Sequence, residues 1–280
     1  MSIVRTEKLH YDYLKYREES EEPEITHALK GIDLEIEAGM FIAVAGNNGC
    51  GKSTLARHID ALLTPTEGSV WVCGMDTKDQ GHIWDIRQRA GLVFQNPDNQ
   101  IIASVVEEDA AFGPENLGVP SEEIWKRVDE ALAMTGMTAY RSMSPNRLSG
   151  GQKQRLAISG VMAMKPECIV LDEPTAMLDP KGRREVISAL GALNKEQGVT
   201  VILITHYMDE IVNADKVFVM EDGLVRMSGT PREIFARTDE LKAIGLDIPQ
   251  VTLLAHELAL EGVEVKEPVL TIDELVEQLC

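Results

Sequence analysis

The chain predicts an α/β fold built on a parallel core sheet, with an antiparallel β subdomain, a helical insertion and a small C-terminal helical appendage. Three observations carry this. Short apolar runs at residues 41–45, 91–94, 168–171 and 199–205 alternate with segments of helical composition, and strands alternating with helices make a parallel sheet with crossover helices. The first run ends in Gly46-Asn47-Asn48-Gly49-Cys50-Gly51-Lys52-Ser53, which meets every fixed position of a phosphate-binding loop between a strand and a helix. The length of 280 residues, with 44% of them hydrophobic, suffices for one large core or two modest ones.

Taken in order, Leu9-His10-Tyr11-Asp12-Tyr13 is followed by an acidic run at 18–24, five acidic residues in seven, expected to be a solvated loop. Residues 32–37 alternate apolar and acidic, the pattern of a half-exposed strand. The glycine-bounded run 41–45 reads as a buried strand, 52–63 as a helix and 69–73 as a further strand. After the strand at 91–94, residues 95–165 change character: loops with Pro and Gly, then mainly helical segments such as 121–135 and 152–164. This is the expected helical insertion. Strand 168–171, helix 183–197 and strand 199–205 follow. Runs 217–220 and 224–227 flank Glu221-Asp222-Gly223, a hairpin signal. Thr230-Pro231-Arg232-Glu233 and Thr271-Ile272-Asp273-Glu274 read as capping boxes opening helices. The expected organisation is a nucleotide-binding unit over 1–235 and a helical extension over 236–280.

The formal net charge is −19. It argues against nucleic acid or bare anionic lipid as the main partner, since both attract basic surfaces, and favours a basic protein partner. No apolar run approaches the ~20 residues that span a bilayer, and the N-terminus lacks a signal peptide's apolar stretch. Any membrane role is expected to come through a partner. Cys50, Cys73, Cys168 and Cys280 are scattered without metal-ligand spacing, the usage of a reduced cytosolic compartment.

The chemistry starts at the loop. Its glycines let backbone N–H groups from Gly46 to Thr54 converge on phosphates at a helix N-terminus. Lys52 is placed to reach the β- and γ-phosphates and Ser53 to put its hydroxyl on Mg²⁺. The apolar run 168–171 delivers Asp172 to the end of a buried strand, where a carboxylate holds Mg²⁺ through water. Glu173 follows at once and is the candidate general base for an attacking water. Leu148-Ser149-Gly150-Gly151-Gln152 supplies an N-cap serine, two glycines and a following helix, a second anion-binding helix end in one chain.

Together with Leu178-Asp179-Pro180 and a strand ending at His206, these motifs in this order resemble the ATPase domain of ABC transporters over roughly residues 1–235. The resemblance implies ATP and Mg²⁺ as ligands. It implies that Ser149, Gly150, Gly151 and Gln152 bind the γ-phosphate of ATP held by an opposite subunit, with two composite sites in a head-to-tail dimer. It makes Gln95 the lid-loop glutamine that touches Mg²⁺, and Asp179 part of the loop linking the two sites. His206 becomes the switch residue that contacts the γ-phosphate and orients Glu173. The adenine-stacking residue falls to Tyr13, with Tyr16 as the alternative.

Phe94-Gln95-Asn96-Pro97-Asp98-Asn99-Gln100, Phe112-Gly113-Pro114-Glu115-Asn116-Leu117-Gly118 and the run from Asp172 to Arg183 narrow the resemblance. They are similar to the ATPase subunits of energy-coupling factor importers of vitamins or transition-metal ions, including the cobalt and nickel type, and most to the first of their two ATPase paralogues. The alternative class is the ATPase of another ABC importer or a soluble non-transport ABC ATPase. The partners implied are a second ATPase subunit, identical or paralogous, a transmembrane coupling protein and a membrane substrate-binding protein, at the cytoplasmic face of the membrane. The coupling protein is expected to dock a helix through an arginine near Asp98, the acidic run 107–109 being either part of that contact or a solvated helix face.

Overall fold

A computed structural model describes residues 1–16, 23–266 and 268–279. The acidic run expected as a solvated loop lies outside the described residues except for Pro23 and Glu24, and Cys280 lies outside them too. In chain order the elements are β1 (Ser2–Lys15), β2 (Glu24–Glu37), β3 (Phe41–Gly46), α1 (Lys52–Ile59), β4 (Glu67–Val72) and β5 (Met75–Asp76). Next come α2 (Ile83–Arg89), β6 (Ala90–Val93), α3 (Val106–Asn116), α4 (Ser121–Met134), α5 (Gly150–Ala163), β7 (Cys168–Asp172) and α6 (Pro180–Gln197). Then follow β8 (Thr200–Thr205), β9 (Lys216–Glu221), β10 (Leu224–Gly229), α7 (Pro231–Phe235), α8 (Thr238–Ala243), α9 (Gln250–Leu260) and α10 (Ile272–Leu279).

The main sheet runs β10-β9-β3-β8-β7-β6. It is parallel from β9 to β6, and only β10 is antiparallel. The period of two sends alternate side chains to opposite faces. Phe41, Ala43, Ala45, Ile169, Leu171, Val201 and Leu203 face one core, under α5, α6 and α7. Ile42, Val44, Val170, Ile202 and Ile204 face the other, under α1 and the second sheet. Burial on both faces is why these strands read as continuous apolar runs.

The second sheet, β2-β1-β4-β5, is antiparallel. In β2 the expected alternation holds: Ile32, Leu34 and Ile36 are buried while Asp33, Glu35 and Glu37 are exposed. The β9–β10 turn has both Asp222 and Gly223 at positive φ, 47° and 79°, the mirror-image turn that suits the twist of a hairpin. Helices α3, α4 and α5 share a core of their own around Val106, Ile124, Val128, Leu132 and Leu156, which makes the insertion a packed helical unit.

Several local expectations are corrected. The helix expected over 52–63 stops at Ile59: Ala61 takes φ 50°, and the N–H groups of Leu62 and Leu63 both turn back to the Arg57 carbonyl. The part of 95–165 before residue 121, expected to hold loops with Pro and Gly, also holds α3, with Gly113 and Pro114 inside it; a Cβ on Gly113 would sit 2.7 Å from Met164, so glycine there serves close helix packing. The capping box at Thr230 is complete. At Thr271 the hydroxyl accepts the Glu274 N–H at 3.2 Å, while the Glu274 carboxylate accepts the Leu270 N–H at 2.9 Å. Phe235, Leu241 and Leu246 pack into the main core, and Ala255, Val269 and Leu275 form a separate small cluster.

Strand β1 carries a bulge between Glu7 and His10 where it faces β4. Lys8 adopts φ 45°, its N–H donates to Asp33 at 2.7 Å, and Gly68 opposite has φ 78°. A Cβ on Gly68 would lie 2.0 Å from the Lys8 carbonyl oxygen. Gly68→Ala is expected to destabilise the chain by about 1–3 kcal/mol, read as a lower midpoint in thermal unfolding; an unchanged midpoint would show that the bulge relaxes freely.

Candidate active site

The parallel register brings three strand ends together. Gly46 ends β3, Asp172 ends β7 and Thr205 ends β8, with Ala45 paired to Thr205 and Asp172 paired to Ile204. Gly46 must be glycine, because a Cβ would lie 2.3 Å from the Met220 carbonyl oxygen. Gly51, at φ 103°, passes so near β2 that a Cβ would lie 2.6 Å from the Ala28 carbonyl oxygen. From below, the hairpin turn braces the loop: the Gly223 N–H donates to the Cys50 carbonyl at 3.1 Å, and the Lys30 N–H donates to the Gly223 carbonyl at 2.9 Å. Helix α1 begins without a side-chain cap, so its first N–H groups stay available to an anion.

Lys52 is 4% exposed. Its ammonium donates to the Gly46 and Asn47 carbonyls at 2.7 and 2.9 Å and lies 3.8 Å from Glu173 Oε1. The Ser53 hydroxyl donates to Asp172 Oδ1 at 2.8 Å. Burial raises the Asp172 carboxyl above its ordinary value, the Ser53 hydrogen bond opposing and the Glu173 charge reinforcing that shift. Glu173 holds φ 48° and its N–H donates to the Ile204 carbonyl at 2.9 Å. That uncommon backbone conformation turns its side chain out of the strand end. Glu173 Oε2 accepts from the Gln95 amide at 3.1 Å. His206 Nδ1 lies 3.3 Å from the same oxygen but outside hydrogen-bonding alignment.

Lys52, Ser53, Gln95, Asp172, Glu173 and His206 therefore form one constellation. The oxygen donors, a serine hydroxyl touching a buried carboxylate with a glutamine amide nearby, suit a hard ion such as Mg²⁺ that keeps water and phosphate ligands. Among the described residues no cluster of three His, Cys, Asp or Glu suggests a metal cage. The thiol of Cys50 lies 4.0 Å from Lys52 Nζ, and burial pushes its pKa up. Asn48 and Gly49 are exposed at the loop crest, and the Asn47 amide donates to the Ile244 carbonyl at 2.5 Å. The Tyr13 hydroxyl sits 3.4 Å from the Thr54 hydroxyl, while Tyr16 is exposed beyond the end of β1.

Ser149, Gly150, Gly151, Gln152 and Asp179 are not in that constellation. They line a separate cavity of about 410 Å³ with Tyr140 and Lys181. Ser149 and Gln152 make a reciprocal capping box at the start of α5, and Asp179 caps α6 by accepting the Gly182 N–H at 2.8 Å. Neighbouring residues that the sequence reading passed over tie into the site. Arg183 follows the Asp179 loop, and Tyr207 follows His206; that adjacency was the available signal.

A groove of about 360 Å³ opens between α2, α3 and α5. Trp84, Ile102 and Phe112 border it while 72%, 60% and 47% exposed, and Asp60 and Asp109 supply carboxylates. Asp98, the expected contact, is outside that lining; Lys153 Nζ holds it at 2.7 Å. Glu107 pairs with Arg141, and Asp109 accepts the N–H groups of Ile102 and Ala103 at 2.8 and 3.0 Å.

The ABC transporter family matches residues 29–176. The energy-coupling factor transporter ATP-binding protein EcfA1 of Caldanaerobacter subterraneus subsp. tengcongensis is 60% identical over 278 residues, 99% of each chain. Its namesake in Clostridium novyi is 57% identical over 279 residues, 100% of this chain and 98% of that one. The structure of cbiO1 from Clostridium perfringens, described as part of the ABC transporter complex cbiONQ, superposes with a TM-score of 0.76 at 39% identity, covering 91% of this chain and 99% of that one. A dimeric ATP-binding cassette in a post-hydrolysis state with ADP and Pi gives 0.72 at 33% identity, covering 82% and 99%.

Asp60, at the groove, yields a pH test. Burial raises its carboxyl from the ordinary 3.8 to about 7, with Arg87 opposing. The folded chain thus holds that proton more tightly than the unfolded chain. The contribution to stability is full below about pH 4 and is lost as pH rises through about 7. Asp60→Asn is expected to match the parent chain in thermal midpoint near pH 4, to exceed it increasingly up to about pH 7, and to hold a constant advantage above that. Parallel curves across that range would contradict the buried carboxyl.

Proposed function

This chain belongs to the energy-coupling factor ATP-binding proteins of the ABC transporter family; it is an ATPase, and we propose that it carries half of each of two shared sites in a dimer that drives a membrane importer. The observation that carries this is the separation of its two anion-binding helix ends. The α1 end gathers Lys52, Ser53, Asp172, Glu173 and His206, while the α5 end opens on its own cavity. A phosphate at Lys52 leaves Ser149, Gly150 and Gly151 free for the nucleotide of a second subunit, identical or paralogous. Tyr13 would stack on adenine, a reading supported by its hydroxyl lying beside that of Thr54.

In the reaction, Glu173 takes a proton from water, the water oxygen bonds to the γ-phosphorus, and the β,γ-bridging oxygen leaves with ADP. The Lys52 ammonium neutralises phosphate charge from a position fixed by the Gly46 and Asn47 carbonyls. The loop N–H groups and the opposing Ser149-Gly150-Gly151 end supply donors where charge develops. His206, 3.3 Å from Glu173 Oε2, orients the base. Ser53, Asp172 and Gln95 would hold Mg²⁺, which supplies charge neutralisation at the phosphate oxygens.

The groove at Phe112 is the docking place for the importer's transmembrane coupling protein, at the cytoplasmic face of the membrane. A helix with an apolar face and an arginine matches its exposed aromatics and its Asp60 and Asp109 carboxylates. No helix among the described residues is long and apolar enough to cross a membrane. The transported solute, a vitamin or transition-metal ion, belongs to a separate membrane substrate-binding protein.

Two outcomes are expected. Glu173→Gln keeps shape and nucleotide contacts but removes the base, so phosphate release should slow roughly 10²–10⁴-fold while equilibrium ATP binding persists; near-normal turnover would remove Glu173 from that role. Phe112→Glu places a charge in the groove. It should prevent co-purification with the coupling protein and abolish uptake in reconstituted vesicles, while the isolated chain still binds ATP. Full transport by this variant would move the docking surface elsewhere.

A further inference from the structure

The loop before α6 reaches His206 through a continuous chain of directed contacts. Arg183 Nε donates to the Leu178 carbonyl at 3.1 Å, and a terminal guanidinium nitrogen donates to the Tyr207 hydroxyl at 2.8 Å. The guanidinium carbon also lies 3.7 Å over the Tyr207 ring, a cation–π contact. That ring meets the His206 ring at 4.0 Å between centroids, tilted 42°. His206 in turn stands beside Glu173.

The turn bearing His206 is braced independently. The Thr205 hydroxyl accepts the Tyr207 N–H at 3.0 Å and donates to Glu210 at 2.7 Å. Backbone motion at residue 206 is thereby limited, and the ring's orientation is left to what packs on it. Arg183 and Tyr207 are only half-buried and border an open cavity of about 800 Å³. Core packing alone does not demand these two side chains. Met177, just before Leu178, is 66% exposed, so this loop presents itself to an incoming surface.

We propose that Arg183 and Tyr207 are positioning residues that couple the Leu178–Asp179 loop to His206, so that a second subunit arriving at that loop sets the His206 ring against Glu173. This rests on the shared-site reading above. It adds an intrachain route by which dimer closure reaches the base.

The test is single-turnover ATP hydrolysis by the assembled ATPase dimer, with nucleotide Kd and thermal midpoint measured for every variant. Tyr207→Ala and Arg183→Met are each expected to slow hydrolysis between about ten- and a hundredfold, the scale of small misplacements in a reacting geometry, with Kd within about twofold. Tyr207→Phe keeps the ring and should retain most of the rate. Against a His206→Ala background, Tyr207→Ala should add nothing, because residues acting as one unit are non-additive. Additive losses in that double variant, a full rate for Tyr207→Ala, or a slowing that tracks Kd or the thermal midpoint would each overturn the coupling. Glu173→Gln in the same assay separates the two readings. If that variant is slow and the double variant is additive, only the coupling falls; if it turns over normally, the assignment of the base falls first.

Discussion

The register of three parallel strands is the constraint on which the site depends. β3, β8 and β7 end at one edge with Ala45 opposite Thr205 and Asp172 opposite Ile204. Phosphate loop, acidic pair and histidine leave the sheet side by side although they are far apart in sequence. Both faces of these strands are buried, so a slip in register would displace apolar side chains along two cores at once. The sheet can therefore hold at its rim what it would never hold inside: a buried ammonium, a buried carboxyl and a glutamate at positive φ. Such concentration of unfavourable features at the carboxyl edge of an open α/β sheet is where ligands bind.

Much of this was legible in the chain. The phosphate loop, the acidic pair after an apolar run, and the glycine-rich start of α5 each need particular residue types at fixed spacing, and each stands where its motif placed it. The hairpin at Asp222-Gly223 and the capping box at Thr230 were readable for the same reason: local backbone geometry selects the residue. What the sequence hid is long-range. Nothing local distinguishes the bulge at Lys8 opposite Gly68. The positive φ of Glu173 comes while its N–H still continues the ladder to the Ile204 carbonyl of another strand, a placement no local pattern announces. Gly113 and Pro114 did not announce a helix, because α3 is held by packing against Met164, which overrides composition.

The electrostatics of the site follow from its shape. Lys52 faces two carboxylates, Asp172 and Glu173, at a point where burial already weakens the acidity of Asp172. One ammonium does not neutralise both. The Ser53–Asp172 pair adds an oxygen donor set of the kind a hard cation prefers. Glu173 is held by the Gln95 amide on one side and stands between Lys52 and His206, 3.8 and 3.3 Å away. The adjacent carboxyls thus stand in different surroundings, Asp172 still in the strand and Glu173, at positive φ, turned away from it.

The same logic extends to the segment after β10. Leu241 and Leu246 sink into the main core, and the Ile244 carbonyl between them accepts the Asn47 amide of the phosphate loop. The turn after α8 is thus fastened to the loop crest, while Met220, Glu221 and Asp222 of the hairpin border the same cleft. The hairpin and the turn after α8 brace the loop on separate sides, one by backbone hydrogen bonds and one through a side chain. A glycine-rich loop pays a high entropic cost for order. Here that order is imposed by contacts from distant segments, without adding bulk at the loop crest.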